Sequence, residues 1–96
     1  MEYPVIFLDK IESSRILLNE MIERAIKQGM LNFAMFYTLR DGLNELKLIV
    51  VNGHVIDSSF LNKWGKVMGW VSKVFEDTPL LDLLREIDIY IVDIKG

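Results

Sequence analysis

The chain of 96 residues contains no cysteine, one histidine, one glutamine and only two prolines. Without cysteine there is no disulfide framework, thiolate zinc site, iron–sulfur cluster or cysteine nucleophile. Stability then rests on the core, on assembly, or on both. Long apolar runs are missing too. The longest, such as Phe33 to Tyr37, reaches five residues, where a spanning helix needs about twenty. The opening Met1-Glu2-Tyr3-Pro4 lacks a basic signal region, so the expectation is a cytoplasmic protein with no membrane partner. Positive charge is not in excess. With 11 Lys+Arg against 14 Asp+Glu the net charge is −3, which disfavours phosphate backbones on average.

Catalytic motifs are equally scarce. No Gly-rich phosphate loop, Walker sequence, His-Glu-x-x-His or Gly-x-Ser-x-Gly occurs. Ser13, Ser14, Ser58 and Ser59 stand near expected helix starts, where hydroxyls cap backbone donors. Ser72 has no partner motif, and His54, beside Asn52-Gly53, reads as a surface residue. No catalytic residue, metal ligand or cofactor is assigned, and the chain is read as a non-enzyme.

What is present is an ordinary globular balance, 51% apolar and 26% charged, over a single domain spanning 1–96. Val5-Ile6-Phe7-Leu8 reads as a buried strand. Asp9 and Glu12 have capping-box spacing, and Ile11, Leu18, Met21, Ile22, Ala25 and Ile26 follow a helical period, so a helix is predicted over 10–28, stopped by Gly29. Asp41-Gly42 is a favoured type I′ pair. Around it, Phe33, Met35 and Tyr37 face Val50, Leu48 and Leu46, while Ala34, Phe36 and Thr38 face Ile49, Lys47 and Glu45. Asn52-Gly53 folds residues 54–56 back as a further short strand. A second helix is predicted over 59–75 with Phe60, Trp64, Val67, Met68, Val71, Val74 and Phe75 on its apolar face. Thr78-Pro79 starts a helical turn over 79–85, and the alternation of Ile87, Ile89 and Ile91 closes the chain as a strand to Ile94.

The predicted class is therefore α+β: an antiparallel sheet of four or five strands with two main helices on one face, ordered β-α-β-β-(β)-α-β. That order resembles the ferredoxin-like, split-βαβ pattern. The resemblance stops at architecture. The strand Glu45 to Val51 lacks the aromatics of an RNA recognition motif, and Leu8-Asp9-Lys10-Ile11-Glu12 stands where an acylphosphatase has a glycine-rich, arginine-ending loop. In composition, with no Cys, one Gln and eleven Ile, the chain also resembles small orphan proteins of viruses of thermophilic archaea. That likeness implies an accessory role in a host cytoplasm.

Two surface features carry the functional expectations. If Phe33, Met35, Tyr37, Leu46, Leu48, Val50, Ile87, Ile89 and Ile91 lie under the helices, the opposite sheet face is apolar. Ala34, Phe36, Ile49, Val51, Tyr90 and Val92 then form a dimer or partner face, unless residues 79–85 cover it. On the second helix, Gly65 and Gly69 are four apart, fitting close approach of another backbone. Beside them Lys63, Lys66, Trp70 and Lys73 form a stripe suited to phosphate and a nucleobase. The leading expectation is a small homodimer that binds another macromolecule, a protein first of all. A nucleic-acid-binding accessory protein using the lysine stripe is second, and an enzyme built at the dimer seam is third.

Overall fold

The computed structural model describes residues 2–29, 34–74 and 78–95, with side chains through 93. Among them there is no strand. Four helices follow one another: α1 (Val5–Lys27), α2 (Ala34–Val51), α3 (Ser58–Val74) and α4 (Pro79–Lys95). The expected α+β, ferredoxin-like sheet is thus corrected to an all-helical fold.

The reason lies in a 3-4 spacing of buried residues on every helix. Phe7, Ile11, Ser14, Leu18, Ile22 and Ala25 face inward from α1. Phe36, Leu39, Leu43, Leu46 and Val50 do so from α2. Phe60, Trp64 and Val71, with half-buried Val67 between them, continue the pattern on α3. Leu80, Leu84, Ile87 and Ile91 repeat it on α4, with Leu81 beside them. Such a stripe buries one face of a helix, and each fully enclosed leucine or isoleucine contributes roughly 1.5–3 kcal/mol.

The ends explain the misread segments. Pro4, with φ −59°, stands at the N-cap of α1, and its carbonyl accepts from Phe7 N at 3.0 Å. Proline's fixed φ suits a helix entrance, so Val5–Leu8 is the first turn of a helix rather than a strand. Gly29 stops α1 as expected, with φ +73° and its N–H donating to the Ile26 carbonyl at 3.1 Å. The predicted hairpin is replaced by one continuous helix through Asp41-Gly42. Only the second glycine pair bends the chain, and it caps a helix. Gly53 has φ +67°, its N–H donates to Val50 O at 3.2 Å, and His54 N donates to Ile49 O at 2.9 Å. These two bonds make a Schellman motif, which uses the same left-handed glycine as a hairpin turn. Residues 54–56 consequently form no strand, and Ile56 is buried in the core.

Asp57 caps α3, its Oδ1 accepting from Phe60 N at 2.8 Å. The predicted helix over 59–75 therefore stands as α3, although Val74 is exposed instead of facing the core and Phe75 lies outside the described residues. Thr78 Oγ1 accepts from Leu81 N at 3.2 Å, so the cap before Pro79 is also present. The helix it starts does not end at 85. It absorbs the expected strand over 87–94, because Leu84, Ile87 and Ile91 keep the inward stripe going. Phe33 and the side chain of Ile94 lie outside the described residues.

Cross-helix contacts fix the topology. Arg15 meets Asn44 and Glu12 meets Lys47, so α1 and α2 run antiparallel. Lys10 meets Glu86 and Phe7 meets Tyr90, so α1 and α4 do as well. Helix α1 packs closely on α2 and α4, α3 touches the same two more sparingly, and α1 stands diagonal to α3. The result is an up-down-up-down bundle of 42 × 22 × 21 Å. No helix among the described residues is long and apolar enough to cross a membrane.

Candidate interaction surfaces

The antiparallel topology brings the start of α1 and the ends of α2 and α4 to one end of the bundle. The Tyr3 hydroxyl donates to the His54 carbonyl there, and Phe7 lies 5.5 Å from Tyr90, centroid to centroid. Burial lifts the Tyr3 hydroxyl above its ordinary pKa, opposed by a backbone hydrogen bond. Around these contacts large aliphatic side chains remain in water. Val5 is 76% exposed, Val55 70% and Leu48 62%, joined by Ile6, Val51, Ile89 and Val92. Ile6 and Ile89 border one hollow with Tyr90, while Leu48 and Val51 stand on α2, which does not touch α4 among the described residues. Exposed apolar side chains of this kind are candidates for association.

A second feature lies between α2 and α3. Where the two helices part, a groove of about 380 Å³ is lined by Thr38, Asp41, Gly42 and Glu45 from α2 and by Phe60, Lys63, Trp64, Lys66 and Val67 from α3. It adjoins a hollow of about 240 Å³ that adds Met35 and Trp70. The floor is aromatic and rigid. The Phe60 and Trp64 rings stack with centroids 5.9 Å apart, and Trp64 Nε1 donates to Asp88 Oδ1 of α4 at 3.1 Å. Gly42 borders the floor, where a Cβ would just touch Trp64 Cε3 at 4.0 Å. The rims differ in sign: Asp41 and Glu45 stand on α2, Lys63 and Lys66 on α3. None of these four takes part in an ion pair among the described residues.

On the opposite corner, α1 carries a closed charge network. Glu12 accepts from Lys47 at 2.7 Å and from Arg15 at 2.9 Å, and Arg15 Nε donates to Asn44 at 2.8 Å. The Lys47 hydrogen bond, aided by Arg15, holds the Glu12 carboxyl below the usual range. Lys10 donates to Glu86 at 2.8 Å, and that bond raises its ammonium pKa.

The residues expected to act together are partly regrouped. The sheet face that would join Ala34, Phe36, Ile49, Val51, Tyr90 and Val92 does not form. Ala34 and Phe36 sit at the far end of α2, the latter buried in the core, whereas Ile49, Val51, Tyr90 and Val92 gather at the apolar end. Residues 79–85 belong to α4 and cover no sheet. Gly65 and Gly69 are exposed, and a Cβ at either would meet nothing within 4 Å, so no neighbouring backbone among the described residues explains them. Lys63, Lys66 and Lys73 do form an exposed stripe on α3 with half-buried Trp70. Asp41, Glu45 and Thr38 had no place in the sequence reading of the site. Their signal is the 3-4-3 spacing of Met35, Thr38, Gly42 and Glu45, visible once α2 is read as a helix. Ser14 and Ser72 bond back to the carbonyls four residues earlier, at 2.8 Å each, as hydroxyls inside helices do.

No protein-family model matches this chain, and no curated protein or solved structure matches it either. The functional reading rests on the geometry.

Proposed function

We propose that the chain is a non-enzymatic interaction protein that forms a homodimer through its apolar end and works by binding another protein. The supporting observation is that Val5, Leu48, Val51, Val55, Ile89 and Val92, on or beside the helix ends that lie there, are exposed beside a core that closes without them. Covering them removes apolar area from water at about 25 cal/mol per Å². Light scattering across the micromolar range tests the reading. Twice the chain mass of 11.2 kDa is expected. Val51→Glu with Val92→Glu returns the mass to that of one chain with helix content unchanged, since neither side chain belongs to the core. A wild-type monomer at every concentration would contradict it.

The nucleic-acid reading is second, and one observation counts against it. Asp41 and Glu45 line the groove that Lys63 and Lys66 share, so a phosphate there meets carboxylates. Three phosphate contacts through Lys63, Lys66 and Lys73 would give a log–log salt slope of about −2 to −3. No retention of DNA or RNA is expected even at low salt.

A further inference from the structure

The groove between α2 and α3 is a separate surface from the apolar end, and its shape and charges define an occupant. A trough between two antiparallel helices accepts the ridge of a third, at the 8–10 Å axial spacing of packed helices. From Met35 to Glu45 the α2 wall covers ten residue steps, about 15 Å of helix. An incoming helix therefore seats about three turns, with apolar side chains at i, i+3 or i+4, and i+7 on the aromatic floor. Along each wall the charges repeat once per turn, Asp41 with Glu45 and Lys63 with Lys66.

We infer that this groove binds an amphipathic helix of a partner protein, one whose apolar stripe has basic residues along one flank and acidic residues along the other. The basic flank lies over Asp41 and Glu45, the acidic flank over Lys63 and Lys66. Reversing a helix exchanges its flanks, so a given sequence fits in one direction only. Uniformly charged partners, nucleic acid included, meet repulsion on one wall whichever way they lie.

Trp64 lines the groove and Trp70 the hollow that adjoins it, so their fluorescence reports occupancy. Three synthetic helices of about fourteen residues (four turns) share one leucine stripe and differ in their flanks: lysine on one side and glutamate on the other, lysine on both, or glutamate on both. The mixed helix is expected to bind about five- to tenfold more tightly than either uniform one. Lys63→Glu with Lys66→Glu, both exposed positions, should transfer the preference to the all-lysine helix. Gly42→Leu should fill the floor and weaken all three, with helix content checked by circular dichroism. Binding should survive in the Val51→Glu, Val92→Glu chain, which separates this groove from the dimer contact. Equal affinity for all three helices, preference of the wild type for a uniform one, no binding, or tighter retention of an oligonucleotide would each overturn the inference.

Discussion

Helices α1 and α3 stand on opposite corners of the bundle and are held in different ways. Six buried positions run along α1, and its flanks are tied to both neighbours by Arg15–Asn44, Glu12–Lys47 and Lys10–Glu86. Helix α3 is held by Phe60, Trp64 and Val71 and by the Trp64–Asp88 hydrogen bond. It also carries Gly65 and Gly69 in open space, each costing about 1 kcal/mol against alanine in a helix interior. Low contact density and weak intrinsic propensity place a segment at the easily opened end of the stability range. The closely packed corner supports the fold, and the loosely packed one leaves room for a ligand.

Two substitutions probe that contrast. Leu18→Ala, at a fully enclosed site on α1, should cost about 2–5 kcal/mol and unfold the chain as a whole. Urea titration reads this, and a loss under 1 kcal/mol or so would mean that α1 is not the central support. Trp64→Phe keeps an aromatic ring but removes the donor to Asp88. It should cost about 1–2 kcal/mol and speed amide exchange in α3 while leaving α1 protected. Equal acceleration in both helices would erase the difference between the corners.

How much of this was legible in the sequence depends on the segment. The helix stops at Gly29 and the helix over most of 59–75 were legible, because the signals are local: a left-handed glycine, and Phe60, Trp64 and Val71 on one spiral. The lysine stripe came with that helix. The hairpin misled because Phe33–Tyr37 and Leu46–Val50 are so rich in apolar residues that they satisfy a two-residue period and a 3.6-residue period together. The discriminating residues were Leu39 and Leu43. A hairpin turning at 41–42 sets Leu39 opposite Asn44 and Leu43 opposite Arg40, while a helix places both leucines inside, where they are fully buried. In α4 the alternation of Ile87, Ile89 and Ile91 is a coincidence of composition, and Ile89 ends in solvent. The groove was hidden for the same reason, since its acidic wall exists only when α2 is a helix.

A smaller effect separates the charged flank of α1 from the groove. Glu12 has a folded pKa below its ordinary 4.5, so the stability it contributes is complete above that value and is lost as pH falls through the lower folded one. Glu12 is partly exposed and belongs to a small network, which sets the contribution at up to about 1 kcal/mol. Glu12→Gln should remove that part of the acid sensitivity while leaving helix binding in the groove unchanged. A variant as acid-sensitive as the wild type would show that the Lys47 and Arg15 contacts do not hold in solution.

Both the all-helical fold and the floor of the groove depend on α2 running unbroken through Asp41-Gly42, and Gly42→Ala tests this most directly. In a helix interior, alanine stabilises by roughly 0.5–1 kcal/mol over glycine, and here its Cβ meets only Trp64, at an ordinary 4.0 Å. In a type I′ turn the same change forces a positive φ on alanine and destabilises. A higher urea midpoint for Gly42→Ala is the expected result. A lower midpoint would contradict the continuous helix and restore the hairpin.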